Sequence, residues 1–540
     1  MVSRGLVVCV GLLSYAAPAS PAAAQESTSL SCPRPSAGAA AIQPPALFSR
    51  GGALNVTLDY VTSVGPDHRT RFCFVTPDGQ ESPTLHVSPG DTLNISLTNR
   101  LPPPPAGSPA MAMGLDSDVC GAANMTSASV NMHFHGTNTS PTCHSDEVVH
   151  TLVNSGQTFN YSLKFPGNEP PGLYLYHPHV HPLTEKMVLG GADGAIVVEG
   201  LQKLQPAVAG LPSRILIIRD QTLPSKYTPG GRTPSYDVTL NYVPISYPAL
   251  VPAVIHLSSS HEELWRVANG AADTVIDLRL LYDGVVQPLR IVALDGVPTD
   301  SQDGTQRGKI VAMNHVLLAP TGRAEFIVTT PSASVKQAIF ETTKVDTGPI
   351  GDNDTRRTLA ILKRPDFTAQ AAPLDTIPTS AFTAAPFGQR FAALDSAMVT
   401  TRRTLYFSES PLPNATKFFI TVVPAKPELY HPGDPPAIVT HQGAVEEWTV
   451  ENRSPEVHEF HIHQIHFKLL RRDGKLLPPD RQQFFDVVNV PYWSGKGPYP
   501  SVTLLMDFRG PITGDFVYHC HILNHEDQGM MAIIRVLPRT

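Results

Sequence analysis

Apolar residues along this chain recur in short alternating runs broken by turn residues, and seldom at helical spacing. The stretch Gly90-Asp91-Thr92-Leu93-Asn94-Ile95-Ser96-Leu97-Thr98-Asn99 shows the pattern: a turn, then Leu93, Ile95 and Leu97 at every second position, then a closing Asn. Period-two alternation places those side chains on one face of a strand. The phrase returns as His261-Glu262-Glu263-Leu264-Trp265-Arg266-Val267-Ala268-Asn269 and as Gly443-Ala444-Val445-Glu446-Glu447-Trp448-Thr449-Val450-Glu451-Asn452. The closing asparagines lie 170 (269−99) and 183 (452−269) residues apart. That period is too long for a solenoid and fits repeated β domains. The pattern predicts an all-β chain of three β-sandwich domains with boundaries near residues 200 and 370. The second boundary falls in the Pro/Ala/Thr-rich run over 365–386.

Composition narrows this little. A chain of 540 residues exceeds a single core. A formal net charge of −7 with 16% charged residues leaves no footprint for nucleic acid or an anionic membrane. The N-terminus adds more. Arg4, an apolar run over 6–17 and Ala22-Ala23-Ala24 read as a secretory signal over residues 1–24. The run is too short to span a bilayer, and no other stretch is long and apolar enough. A soluble, secreted or periplasmic monomer is expected. A Pro/Ala-rich lead over 32–45 reads as an extended arm. Cys9 leaves with the signal, and Cys32, Cys73, Cys120 and Cys143 remain beside Cys520. Two disulfides, in any of three pairings, compete there with four free thiols. Eight Asn-x-Ser/Thr sites (Asn55, Asn94, Asn124, Asn138, Asn160, Asn353, Asn414, Asn452) matter only in a glycosylating host.

The chemistry concentrates in four His-x-His pairs: His133/His135 and His177/His179 in the first repeat, His461/His463 and His519/His521 in the third. The middle repeat has none. Residues two apart on a strand share a face at roughly 6.6 Å, a spacing suited to neighbouring metals in one cluster. The cluster is therefore expected where the first and third domains meet. A lone pair of this kind is more often a surface or satisfied strand feature, but four pairs are not accidental. The last bracket Cys520, which begins a Cys-x4-His-x4-Met run through His525 and Met530. Thiolate, imidazole and thioether together select copper, and one more imidazole would complete a His₂Cys site with a weak axial Met. Alternation sends His519 and His521 to one face and Cys520 to the other, so a single strand would join two metal sites.

These motifs resemble those of the multicopper oxidases, in the three-domain, laccase-like branch with bacterial-style motifs, from about Leu47 to the end. The resemblance implies cupredoxin-like Greek-key domains at 46–200, 201–370 and 371–540, and four copper ions. By that analogy His458, Cys520 and His525, with Met530 axial, hold a type 1 copper, and His133 and His461 a type 2. The type 3 pair would take His135, His177 and His521 on one ion, and His179, His463 and His519 on the other. Asp146 and Glu526 resemble the family's proton-delivering acids; otherwise Asp146 orients a ligand and Glu526 is a loop carboxylate in water. Glu459 and Gln464 stand where the family commonly has Pro and Gly. His144, His181 and His466 match no ligand position and read as supporting residues.

The implied activity is oxidation of a small donor, one electron at a time, coupled to reduction of O₂ to two waters, with Cys520 as the path between sites. A donor specialised as Cu(I) would call for a dense Met segment, because thioethers suit the soft ion. Only 11 Met are present, and Met111, Met113, Met125 and Met132 form no dense run. Phenols or aromatic amines are the expected donors, with cuprous or ferrous ion as the alternative. Glu456 and Glu459, beside His458, would either orient the donor or form a solvated rim. A copper nitrite reductase lacks the type 3 pair, and a copper store would not need Cys520 wired between two cluster histidines.

Overall fold

The computed structural model describes residues 1, 31–112, 120–301, 308–364, 374, 389–411 and 416–539. Residues 2–24 of the signal, Met113, the 365–386 run apart from residue 374, and Asn414 lie outside the described residues. From Ser31 onward the chain forms one compact unit. It is nearly all β.

Its six large sheets stack as three successive sandwiches. In the first, the sheet Ala46–Phe48, Thr84–Val87, Gly194–Val198, Gly172–Tyr176 faces the sheet Thr158–Lys164, Thr92–Asn99, Ala53–Val64, Thr70–Val75. Their inner faces enclose Leu58, Leu97, Tyr161 and Ile196. The second sandwich pairs an eight-stranded with a six-stranded sheet between Ser213 and Lys363. The third pairs a seven-stranded with a five-stranded sheet between Thr401 and Leu537. Each has its own apolar core, as the alternation predicts.

The repeated phrase owes its recurrence to a repeated job. Thr92–Asn99, Glu262–Asn269 and Val445–Asn452 are strands, each paired in parallel with an earlier strand of its sheet: Ala53–Val64, Ser213–Thr222 and Thr401–Pro411. Each closing Asn then ties off the strand end. Asn99 Nδ2 donates to the Ala128 and Val153 carbonyls at 2.7 and 2.8 Å, and its Oδ1 accepts the Leu101 N–H at 2.9 Å. Asn269 does the same toward Thr274, Leu318 and Ala271. Asn452 does so toward Glu456, Val490 and Ser454. One amide satisfies three backbone groups that a strand end would otherwise leave buried and unpaired.

The disulfides join Cys32 to Cys73 and Cys120 to Cys143, and Cys520 is the free cysteine among the described residues. The lead arm is pinned at Cys32 to the first sandwich and crosses to the second, where the Ala41 N–H donates to the Val254 carbonyl at 2.8 Å. No helix among the described residues is long and apolar enough to cross a membrane.

Candidate metal centres

The ligand-bearing strands are laid side by side by backbone pairing. His133 and His177 exchange N–H···O bonds at 2.8 and 3.1 Å in the first sandwich. In the third, His458–Ile462 runs antiparallel to Gly514–Cys520, setting His461 opposite His519 and Phe460 opposite Cys520. The pleat then sorts the side chains. His519 and His521 face one way, their ring centres 5.1 Å apart. Cys520 faces the other way into the core of the third sandwich.

Eight imidazoles meet on the first side. All eight are buried. Rings of the first sandwich stack on rings of the third, His133 on His463 at 3.8 Å and His135 on His461 at 4.0 Å. Donor atoms close together in the trios His133/His461/His463, His135/His461/His521 and His179/His463/His519. His177 closes with His133 and His135, and its ring lies 5.6 Å from that of His521.

Hydrogen bonds at the outer edge of the chamber fix which nitrogen of a ring looks inward. His133 Nδ1 donates to Asp146 Oδ1 at 2.9 Å, His177 Nδ1 to the Pro178 carbonyl at 2.8 Å, and His461 Nδ1 to the Asp486 carbonyl at 2.7 Å. The Nε2 atoms of these three have no hydrogen-bond partner among the described residues. His135 is reversed: Nε2 donates to Asp486 Oδ1 at 3.1 Å and Nδ1 is without a partner among the described residues. His519 Nδ1 donates to the Cys520 carbonyl at 2.8 Å, so its bare Nε2 faces Nε2 of His179 at 3.3 Å and of His463 at 3.2 Å. Burial holds His177 and His519 down to about 3. It holds His135, His179, His461, His463 and His521 well below the usual range, which leaves these rings neutral.

Neutral rings with bare nitrogens turned on one another are unfavourable unless a cation lies between them. Donors held 3.2–3.3 Å apart are spaced as ligands that share an ion about 2 Å from each. The residues present fit bound metal.

The mononuclear set lies across the strand. His458 Nδ1 is 3.6 Å from Cys520 Sγ and 3.0 Å from His525 Nδ1, and His525 Nδ1 is 3.8 Å from Sγ. His458 is oriented by Ser454 Oγ, 2.7 Å from its Nε2. The Glu459 N–H donates to Sγ at 3.4 Å. Met530 is fully buried in the same core, and its carbonyl accepts the Cys520 N–H at 3.1 Å. Burial pushes the free thiol up, and a coordinated metal is what would strip its proton. Imidazole, thiolate and thioether together are a copper donor set.

Two sequence expectations change in detail. Glu459 is no rim residue: it is buried, and its Oε1 accepts from Asn489 Nδ2 at 2.7 Å. Glu456 is the carboxylate beside the site, with Oε1 3.6 Å from His525 Nε2. Glu526 lies fully buried, 3.5 Å from His181 Nδ1, rather than in water. His144 stacks on Phe159, and His466 bonds the Asp295 carbonyl at 2.9 Å.

Sequence reasoning missed the residues that brace His135. Asp486 of the third sandwich is bidentate with Arg323 of the second, at 2.7 and 2.5 Å, and holds His135 of the first. Gly136 permits this approach: at φ +83°, a Cβ there would collide with the side chains of Asp486 and Arg323. Gln464 Nε2 donates to Asp146 Oδ2 at 2.6 Å, which gives the departure at that position a role.

Family models described as multicopper oxidase match residues 116–203 and 408–540, the segments that carry all the His-x-His pairs and the Cys520 site. The chain belongs to the multicopper oxidase family. It is 24% identical to the multicopper oxidase mco of Staphylococcus haemolyticus, over 84% of this chain and 81% of that one. A laccase of Haloferax volcanii is 39% identical over 104 residues, 18% of this chain and 17% of that one. Among solved structures, a multicopper oxidase from Campylobacter jejuni, described as a metallo-oxidase, superposes with a TM-score of 0.66 at 20% identity. That match covers 94% of this chain and 96% of that one, and it shows the shared fold of cupredoxin-like domains. Membership makes the protein an oxidoreductase that uses O₂ and small-molecule donors.

Proposed function

We propose that the chain is a laccase-type oxidase with four copper ions. One would be held by His458, Cys520, His525 and Met530, and one by His133 and His461. A coupled pair would sit at His135, His177, His521 and at His179, His463, His519. Copper in these sites supplies one-electron oxidation of the donor and four-electron reduction of O₂ to two waters.

The observation that carries this reading is the covalent join between the two donor sets. Cys520 belongs to one, and its neighbours His519 and His521 belong to the other. The stacked rings of two domains wall the chamber off from bulk water. Asp146, held by His133 and Gln464, and Glu526, beside His181, are the acids placed to hold protons for water formation. Glu456 faces the outer nitrogen of His525 and would orient the hydroxyl or amine of a phenol or aromatic amine.

Cuprous or ferrous ion is the second reading. Glu456 supports it, because Glu456 and Glu409 form a carboxyl pair beside His525 whose shared proton a cation would displace, and the solved relative from Campylobacter jejuni is described as a metallo-oxidase. The domains would run 46–200, 201–370 and 371–540, in a monomer exported to the periplasm or medium after loss of residues 1–24.

Oxygen uptake by copper-loaded protein tests the reading, with a phenol, an aromatic amine, Cu(I) and Fe(II) supplied in parallel and peroxide monitored. Uptake with the organic donors and no peroxide is expected. Uptake with metal ions alone would shift the assignment to the second reading. Full copper with no uptake from any donor would overturn both.

A further inference from the structure

Outside both copper donor sets, four carboxylates gather where all three sandwiches meet. Asp220 of the second sandwich is buried, and its two oxygens accept the N–H groups of Ala272, Asp273 and Thr274 at 2.8, 2.9 and 3.0 Å. This fixes the turn that carries Asp273. Asp273 is 1% exposed. Its Oδ1 accepts the Asn524 N–H at 2.9 Å, while Oδ2 has no hydrogen-bond partner among the described residues. Glu185, on the first sandwich's helix Thr184–Leu189, accepts from Asn524 Nδ2 at 3.1 Å. Asp352 lines a surface cleft of about 440 Å³ with Ser235 and Tyr236, and its charge bears on Asp273 and Glu185.

Among the described residues, little positive charge answers these acids. Arg357, the guanidinium on this side, is shared among Asp237, Asp354 and Asp220. Burial, and then Glu185, Asp220 and Asp352 facing it, push the Asp273 carboxyl well above the usual carboxylate range. An unpaired buried carboxylate oxygen amid like charges is unfavourable in a folded protein unless a cation or a proton sits on it.

We infer that Glu185, Asp220, Asp273 and Asp352 form a site for one hard divalent cation of the calcium class, with Asp273 Oδ2 as its innermost ligand. The chemistry of the donors makes the choice. All are carboxylate oxygens, with no imidazole or sulfur to favour copper or zinc. Ca²⁺ accepts many carboxylate oxygens in flexible geometry, whereas Mg²⁺ keeps much of its water. The cleft that Asp352 lines is the side from which the ion would enter. Through Asp273 and Glu185 the ion would clamp Asn524, which lies between His521 and His525. The site would therefore brace the copper-binding segment against the other two sandwiches.

The test uses copper-loaded full-length protein freed of other divalent ions. Equilibrium dialysis against Ca²⁺, with Mg²⁺ in parallel, is combined with thermal unfolding and copper analysis. One Ca²⁺ per chain is expected, with weaker Mg²⁺ binding, unchanged copper content, and a Tm rise of a few degrees at about 100 times Kd. Asp273→Asn keeps an acceptor for the Asn524 N–H and should weaken Ca²⁺ at least tenfold. Asp352→Asn, at the more exposed edge, should weaken it severalfold and serves if the first variant does not fold. No Ca²⁺ uptake by the wild type would overturn the inference, as would equal affinity in wild type and a folded variant. So would a Tm gain in Asp273→Asn with a wild type indifferent to Ca²⁺, because the carboxyl would then be satisfied by a proton.

Discussion

The two donor sets sit back to back on one strand yet are built in opposite ways. The mononuclear set takes every member from residues 458–530, inside one sandwich whose core surrounds it. The eight-ring chamber takes four rings from residues 133–179 and four from 461–521, and it exists only while two sandwiches are docked. A site inside one core inherits the stability of that core. A site across an interface inherits the stability of the docking. The chamber accordingly has a brace on one of its own rings: Arg323, Asp486 and His135, one residue from each sandwich.

The most severe way to separate the two is Cys520→Ser. A hydroxyl is a poor copper ligand and breaks the path between the sites. Blue colour and donor oxidation should be abolished, with copper falling by one ion per chain while the chamber stays loaded. Loss of the chamber copper as well, read by metal analysis and spectroscopy, would mean that the two sites do not fill independently.

Arg323→Met is the converse and should rank next. It leaves Asp486 buried without its partner, an arrangement that costs about 3–5 kcal/mol. The brace on His135 loosens, and loss of such a support typically weakens metal binding by about 10–100-fold. Chamber copper should fall while the blue colour persists, along with a lower Tm. Equal loss from both sites would show that the second sandwich supports the third as much as it supports the docking.

What can be read from the sequence follows the same division. The pairs His133/His135 through His519/His521 are legible because strand periodicity is local, and the family resemblance then orders them. The closing asparagines Asn99, Asn269 and Asn452 are legible as a repeat, though not as caps. The brace is hidden. Arg323, Asp486 and Gly136 are single residues from three repeats, and nothing in their local spacing relates them. The disulfide partners Cys32 and Cys73 are equally undetermined, because pairing depends on how the arm crosses the first sandwich. Glu459 and Glu456 look alike, three residues apart. The pleat turns Glu459 inward to Asn489 and leaves Glu456 beside His525. Local chemistry is visible in a sequence, and contacts across domains are not.

Met530→Leu separates the sites more gently. The swap nearly conserves volume, at a cost of less than about 1.5 kcal/mol. It removes the thioether while His458, Cys520 and His525 remain. Colour and copper content should survive, the potential of the mononuclear site should change, and the chamber should be unaffected. An unchanged potential would mean that Met530 only fills the core.

Glu456→Gln should have the smallest effect and bears on the outer face of the mononuclear set alone. Glu456 is 8% exposed, and its Oε1 lies 3.6 Å from His525 Nε2. Burial, and then the Glu409 carboxyl beside it, push Glu456 up to about 9. An amide therefore keeps the shape and removes the proton that an arriving cation would displace. If this carboxyl receives a cationic donor, kcat/KM should fall about tenfold for ferrous and cuprous ion, equivalent to about 1.4 kcal/mol. Phenols and aromatic amines, which bring no positive charge, should lose less. Copper content and Tm should hold, since the change touches neither donor set. Equal losses for charged and neutral donors would instead mean that Glu456 acts through the orientation of His525. The mononuclear set would then depend on its rim much as the chamber depends on Asp486, and the contrast between the two sites would narrow.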